Sequence, residues 1–229
     1  MQSGYLPWKG QFDLMHDVDL FIFLDDVQFT LRDWRTRNRI KTPQGLHWLT
    51  VPVGSHRELT IDQVSLPSAT WQARHWKTLC HAYGRAPHFA RYREVFEAFY
   101  LGQTWTSLSA MNQHLTRVIA GDLLGLRTRF LDARPFGTAG RKTPKLLQLL
   151  QAVGAEVYFT GPSTRSYLDT DLLAAHGIRT VFKDFSGFPA YPQPPDPFDH
   201  GVSVLDLLFR VGPEAPEYIW GWRSHREAT

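Results

Sequence analysis

The sequence predicts an α/β fold: a mainly parallel sheet flanked by helices, with a helical insertion over about residues 70–121. Three observations carry this reading. Between residues 127 and 182, short β-rich runs alternate with helical spacing, the pattern of strand–helix–strand units. Near the front, the apolar run Leu20–Leu24 ends in two carboxylates, Asp25 and Asp26, and polar side chains at the carboxyl end of a buried strand commonly build a site on such sheets. From Trp71 to about Gly102 the apolar spacing turns helical, a block that would sit as an insertion or cap over the sheet.

The elements follow in order. Residues 1–12 carry little regular pattern, with Pro7 and Gly10 as loop punctuation. A first strand here would be cut short or lie upstream of Met1. Phe12 to Val18 can hold a helical turn or two, and Val18–Leu24 reads as a buried parallel-type strand. Residues 29–41 are polar and basic. His47–Val53 alternates as a second strand, which Pro52 restricts to an edge or an end, and Gly54–Arg57 breaks it. Thr60–Leu66 reads as a weaker third strand.

Trp71, His75, Leu79 and Tyr83 mark one helix, and Phe89, Tyr92, Phe96 and Phe99 mark another beyond Ala86-Pro87. Ser107–Gly121 is a further helix, Arg127–Leu131 a strand and Pro135–Arg141 a loop. Thr143 and Pro144 suit the start of a helix that Gly154 ends. Val157–Thr160 is a short strand, Leu168–His176 a helix stopped by Gly177, and Arg179–Phe182 a last strand. The prolines of residues 191–197 exclude a helix there. Ser203–Phe209 is a short amphipathic helix that Ser203 can cap, followed by an irregular tail. Residues 1–212 are expected to form a single domain, with 213–229 as that tail.

Composition narrows the function classes. The chain has 229 residues, 43% of them hydrophobic, 21% charged and a formal net charge of +3, as in an ordinary globular domain that needs no nucleic-acid partner. Its one cysteine, Cys80, allows no internal disulfide or Cys-based metal motif and fits a reducing cytosol. No apolar run reaches the roughly 20 residues of a membrane span, and the start lacks a signal-peptide pattern. The expected location is the cytoplasm. The ten histidines do not cluster at metal-ligand spacing. No GxSxG, P-loop, HExxH or GxGxxG motif is present.

The residues that can carry chemistry lie in a few stretches. Asp25 and Asp26 are adjacent, so on a strand they face opposite ways and do not form an acid/base pair. One of them can face a crevice, binding a metal or accepting a proton, while the other caps a helix or meets Arg37 or Arg39. Gln28 can orient an amide or hydroxyl. Arg35, Arg37, Arg39 and Lys41 share one parity if extended, a face suited to a diphosphate or to solvent, with Trp34 and Asn38 interleaved. Thr160-Gly161-Pro162-Ser163 follows a strand directly, so its amides and hydroxyls can hold an anion. Arg165 and Tyr167 are close behind, and Tyr191 and Gln193 can close the crevice from the tail. His75, with Tyr83 two turns on, can face a pocket or be a satisfied core histidine. Cys80 reads as core packing.

These stretches carry a resemblance. QSGYLPWKGQFDL, FLDDVQFTLRDW, RNRIKTPQG, WLTVPV, GAEVYFTGPS, YPQ and SVLDLLF, in this order over about residues 1–212, closely resemble the WbqC-like protein family. The matching positions are Gln2, Tyr5, Trp8, Asp25, Asp26, Gln28, Asn38, Lys41, His75, Tyr83, Thr160, Gly161, Tyr167, Tyr191 and Gln193. The chain departs from the usual pattern at Ser3 (usually Pro), Thr36 (usually Asn) and Thr160 (usually Ser). Family members also usually carry a few more residues before the equivalent of Gln2. The resemblance implies a role in O-antigen or other surface-polysaccharide biosynthesis, with aminoacyl or acyl transfer to the amine of an amino sugar.

A second likeness is to the front end of nucleotidyltransferases of the His-x-Gly-His type, and it implies a Rossmannoid fold. Here those positions read Trp8-Lys9-Gly10-Gln11, without either histidine, so that chemistry does not transfer.

The expectation is therefore a transferase with Asp25, Asp26 and His75 as catalytic candidates. Gln2, Tyr5, Trp8, Gln28, Arg37, Asn38, Lys41, Tyr83, Thr160, Gly161, Ser163, Tyr167, Tyr191 and Gln193 would hold the substrate. Its partners would be a nucleotide-linked amino sugar and an acyl or aminoacyl donor, free or on an acyl-carrier protein, with no resident metal. The alternatives are a non-catalytic sugar-nucleotide or carrier-binding partner and a metal-dependent nucleotidyltransferase with Mg²⁺ at Asp25 or Asp26.

Overall fold

The computed structural model describes residues 1–54, 56 and 58–223. Its described part is α/β, with seven α-helices and short strand pairs. Two pairs are parallel. Strand β1 (Leu20–Phe23) lies beside β4 (Arg129–Asp132), with Leu20 opposite Arg129. Strand β5 (Val157–Thr160) lies beside β6 (Arg179–Phe182), with Val157 opposite Arg179. The chain's first residue runs along β1: the Met1 amine donates to Ile22 O at 2.8 Å and Leu24 N–H to Met1 O at 2.9 Å. Two bonds flanking one residue in this way are the signature of parallel pairing.

The third pair is an antiparallel hairpin, β2 (Arg37–Thr42) and β3 (Gly45–Thr50). Strand β2 is longer than the basic segment's composition suggests, because its cationic stems find a surface to lie on. The Arg37 guanidinium sits 4.4 Å from the ring centroid of Trp48. Gly45, at φ 106°, closes the hairpin in a conformation that favours glycine. The third strand expected over Thr60–Leu66 does not form. Ile61–Gln63 is a single 3-10 turn closed by a Thr60/Gln63 capping box, and isolated bridges pair Thr60 with Gln28 and Ser65 with Ser107.

Helix α1 (Lys9–His16) begins earlier than its apolar residues suggest. The insertion holds α2 (Thr70–Tyr83), α3 (Phe89–Leu101) and α4 (Leu108–Arg117), the last capped by Ser107 and continued by a π turn over Val118–Leu123. Helix α5 (Lys142–Ala152) starts after Arg141. Thr143 does not cap it; its hydroxyl accepts from Asp169 N–H at 3.0 Å instead. Asp169 caps α6 (Thr170–Ala175), and Ser203 caps α7 (Val204–Val211) as expected. The tail is more ordered than its prolines suggest. Gly212–Tyr218 forms 3-10 turns that bury Ala215, with Ile219 buried beyond, while residues 224–229 lie outside the described part.

The main core runs from Tyr5 to Ile219, and a small second one joins Leu147, Leu150, Leu173 and Ile178. Phe209 is the hub where the insertion meets α7, with ring centroids 5.0 Å from Tyr83, 5.2 Å from Phe89 and 5.5 Å from Phe96. Such offset and tilted pairs add to the burial of each ring. An ionic cluster ties α1 to the end of β6 and to the tail: Lys183 bonds Asp13 at 2.9 Å, and Arg223 bonds Asp13 at 2.8 Å and Asp17 at 2.9 Å. No helix of the described part is long and apolar enough to cross a membrane.

Lys9 is one of several polar groups buried in this packing without a partner. Its ammonium has no hydrogen-bond partner among the described residues and lies 4.8 Å from the Phe188 ring centroid. Burial lowers it from 10.5 to about 8, against the pull of Asp13 and Asp206. Between these values the unfolded chain binds a proton that the folded one has released, so this group's contribution to stability rises with pH through that window. Lys9→Met is expected to raise stability at neutral pH by about 1 kcal/mol. It should also remove the alkaline rise; urea titrations at about pH 7 and pH 10 read both effects.

Candidate functional site

A cavity of about 1120 Å³ lies against both parallel pairs, lined by Leu20–Ile22 of β1 and by Val157–Thr160 of β5. Leu146, Leu149 and Leu150 of α5 and Leu14 of α1 give it apolar walls. Polar residues line it both where the strands begin, with Asp17, Asp19, Arg129, Glu156 and Arg179, and where β1 and β5 end, the usual position of a ligand on a parallel sheet. Three segments meet there: the loop Gln2–Trp8, the segment Trp34–Arg39 and the turn Thr160–Thr164.

The front loop is built tightly. Leu6 is held at φ 47°, a region rarely used by residues with a side chain. Asn38 fixes it there, donating from Nδ2 to Leu6 O at 2.7 Å. Tyr5 N–H donates to Trp34 O at 2.9 Å. Gly4 passes so close to Trp34 that an added Cβ would lie 3.3 Å from its carbonyl oxygen. Asp25 holds the loop's other end. Its carboxylate is fully buried and accepts from Ser3 N–H at 2.8 Å, Ser109 Oγ at 2.6 Å and Gln113 Nε2 at 3.0 Å.

Asp26, in the bend beyond β1, has a different set of partners. Its Oδ2 accepts from Lys145 Nζ at 2.7 Å, while its Oδ1 is buried without a partner. Neither carboxylate pairs with Arg37 or Arg39; their partners come from α4 and α5. Leu24, just before them, lines the cavity, and neither Asp25 nor Asp26 does.

The basic face divides. Arg37, Arg39 and Lys41 do alternate along β2, but they serve different partners. Arg37 lies on Trp48. Arg39 donates from Nε to Gly201 O at 2.9 Å and sits 3.5 Å from Asp199. Lys41 is 3% exposed, and its ammonium donates to Pro197 O. Only Arg35, Asn38 and Arg39 of this segment reach the cavity with Trp34. The expected continuous diphosphate face is therefore shorter and excludes Arg37 and Lys41.

The turn after β5 lies on the cavity throughout, with Thr160, Gly161, Pro162, Ser163, Thr164 and, further on, Tyr167. Thr160 donates to Thr164 Oγ1 at 3.2 Å, and Thr164 donates to Gly161 O at 2.9 Å. Trp8 and Gln2 line the cavity too, with the Trp8 ring 5.3 Å from that of Phe185.

Several expected site residues lie elsewhere. His75 is buried, with Nδ1 2.7 Å from the Tyr5 hydroxyl, which is itself 2.5 Å from the Tyr100 hydroxyl. Burial lowers the imidazole to about 4, so it is neutral at pH 7. Neither His75 nor Tyr5 lines the cavity; they form a polar knot where the insertion meets the front loop. Tyr83, Tyr191 and Gln193 converge on Asp206, which no sequence signal marked. Tyr191 Oη and Gln193 Nε2 each donate to its Oδ2 at 2.8 Å, and the Tyr83 hydroxyl takes the Lys41 backbone N–H at 3.0 Å. Burial pushes the Asp206 carboxyl up. This cluster anchors the tail instead of closing the crevice. Gln28 is exposed and pairs with Thr60. Among the described residues no three His, Cys, Asp or Glu side chains converge as a metal-ligand group.

The structure adds Gln11 to the site. Gln11 Nε2 and Arg35 Nε are buried without a hydrogen-bond partner among the described residues, the Arg35 guanidinium being paired through its other nitrogen with Asp33, and both residues line the cavity. Buried donors are rarely left so.

Comparison with known proteins agrees with the resemblance. The chain is 42% identical over 222 residues to the uncharacterized protein Rv1507c of Mycobacterium tuberculosis, covering 96% of this chain and 95% of that one. No solved structure matches it. The model of the WbqC-like protein family matches residues 2–218, and the chain belongs to that family.

Proposed function

We propose that this protein is a transferase of surface-polysaccharide biosynthesis, including O-antigen, that moves an acyl or aminoacyl group onto the amine of a nucleotide-linked amino sugar. The observation that carries the reading is the cavity against two parallel strand pairs, whose lining brings Arg35 and Arg39 together with the Thr160–Thr164 turn. A sugar nucleotide supplies acceptor oxygens at that place. The strand-end position also supports a Rossmannoid, nucleotidyltransferase-like arrangement.

In this reading Arg35 and Arg39 face the diphosphate. The backbone N–H groups of Gly161 and Ser163 hold the acyl carbonyl oxygen or a phosphate, Pro162 having none and that of Thr164 being bonded to Gly161 O. The sugar amine attacks the acyl carbon, the donor's leaving group departs with the bond's electron pair, and Asp26, beside the cavity-lining Leu24 but not itself on the lining, takes the amine proton through one water. The donor is a free thioester or ester, or an acyl group on a carrier protein, and the reaction runs in the cytoplasm. Asp25 and Asn38 act indirectly by fixing the front loop.

The test is incubation of the protein with a panel of nucleotide amino sugars and acyl or aminoacyl donors, read by mass spectrometry. A sugar nucleotide heavier by one acyl group is the expected product. Tight binding of the sugar nucleotide with no mass gain from any donor would replace this reading with a non-catalytic binding role.

A further inference from the structure

Next to the crevice, the surface carries two large aromatic side chains in the open. Trp34 is 55% exposed and Trp48 41% exposed. Their ring centroids are 5.7 Å apart and their planes differ by 34°. Side-by-side exposed tryptophans are unusual on a protein surface unless they meet something. They are also not adrift. The Trp34 carbonyl is bonded to Tyr5 N–H and held against Gly4. Trp48 stands on strand β3 opposite Arg39 and carries the Arg37 guanidinium 4.4 Å from its ring centroid. The platform is thus fixed to the same loop that forms the crevice, and Trp34 itself lines the cavity beside Arg35 and Arg39.

We propose that Trp34 and Trp48 form a stacking subsite for the base of the nucleotide. The inference rests on the crevice binding a nucleotide-linked sugar, and it sets the direction in which that molecule lies. The base stacks outside on the two tryptophans, the diphosphate crosses Arg35 and Arg39, and the sugar points inward to Gln11 and the Thr160–Thr164 turn. Charge complementarity selects a base over a free sugar ring. The aromatic faces here are flanked by three guanidinium groups, those of Arg35, Arg37 and Arg39. Arg35 is ion-paired with Asp33 and Arg39 with Asp199, so phosphates would share these cations, and a planar ring tethered to phosphates uses both the aromatic faces and the guanidinium groups at once. Stacking on an aromatic platform tolerates any base, because every base offers a π face.

Tryptophan fluorescence and calorimetry with ADP, GDP, UDP, dTDP, inorganic pyrophosphate and free glucosamine test the assignment. At least one nucleoside diphosphate is expected to quench the fluorescence and bind about tenfold or more tighter than pyrophosphate. Trp34→Ala and Trp48→Ala are each expected to lose most of that advantage while leaving pyrophosphate affinity unchanged. Trp34→Phe should restore much of it. Both side chains are exposed, so the variants should fold, and circular dichroism checks that. Equal affinity of the wild type for pyrophosphate and every nucleotide would sink the stacking subsite while leaving an anion-binding crevice. Nucleotide binding undiminished in both alanine variants, or quenching by glucosamine alone, would sink it too. Nucleotide binding that depends on the tryptophans, without acyl transfer to any sugar, would sustain the subsite and overturn only the transferase reading.

Discussion

Asp25→Ala is expected to lower the free energy of unfolding by about 3 kcal/mol or more, since hydrogen bonds to a buried charged group are worth about 1.5–3 kcal/mol each. The carboxylate is wholly inside and satisfies three donors from two parts of the chain, Ser3 N–H, Ser109 Oγ and Gln113 Nε2. Alanine leaves the buried Ser3 amide with nothing to accept it and takes one acceptor from Ser109 and one from Gln113, which keeps Asp132 at 2.9 Å and Ser109 at 3.1 Å. Asp25→Asn should be milder than alanine yet still destabilising, because its amide NH₂ would point donor against donor at one of the three. Urea denaturation followed by fluorescence reads both variants. A further consequence is local: the loop Gln2–Gly4 should become protease-sensitive before the rest unfolds. An Asp25→Asn protein as stable as the wild type but inert in transfer would show that this carboxylate meets the substrate and does not merely position the loop.

Asp26→Asn is expected to reduce turnover at least tenfold, about 1.4 kcal/mol on the barrier, with the fold kept. Asparagine preserves the shape and can still accept from Lys145 through its carbonyl oxygen. It cannot accept the proton that leaves the amine. The neighbouring Lys145→Met tests the same pair from the other side: it frees the carboxylate from the ammonium 2.7 Å away and should shift the pH profile of kcat upward. The comparison needs the product identified by mass spectrometry as its assay, and circular dichroism to confirm folding. Unchanged kcat in Asp26→Asn would end the assignment of this residue as the base.

Local signals were legible where short-range chemistry decides the structure. Strands β5 and β6 fall on the residues that their β-branched and aromatic runs mark. Ser203 caps α7 and Ala86-Pro87 separates α2 from α3, because caps and prolines act within a few residues. Strand β2 was hidden, since its Arg, Asn and Lys look like a solvated arm. What makes it a strand is its pairing with β3 and the flat surface of Trp48, neither of which its own sequence contains. Thr60–Leu66 misled in the other direction: its alternation is real, but the segment closes on itself through Thr60 and Gln63.

The site divides in the same way. Of the three stretches that meet at the cavity, the turn after β5 was visible as a polar cluster following a strand and the Trp34–Arg39 segment as a basic one, while the front loop showed little pattern of its own. Their side chains' partners were not. Lys41 reaches Pro197, Asp26 reaches Lys145 and Tyr191 reaches Asp206, and nothing local in sequence marks those pairs. His75 shows why residue type is a weak guide. A histidine on an aromatic helix face reads equally as a base or as a core group, and burial against Tyr5 decides for the core.

The closing of the molecule's two ends on each other has a consequence for how it is made. Val204 N–H donates to Pro7 O at 2.9 Å, Ser203 N–H to Arg39 O at 2.8 Å, and the Trp8 indole to His200 O at 2.5 Å. The front loop of the crevice is thus braced by residues almost two hundred positions later. During synthesis, the front loop must wait for a segment made almost two hundred residues later before it can settle. The helices of the insertion, whose contacts are local, can form in the meantime. The crevice is therefore a late product of folding, and a chain halted before α7 would carry every expected site residue without holding them in place.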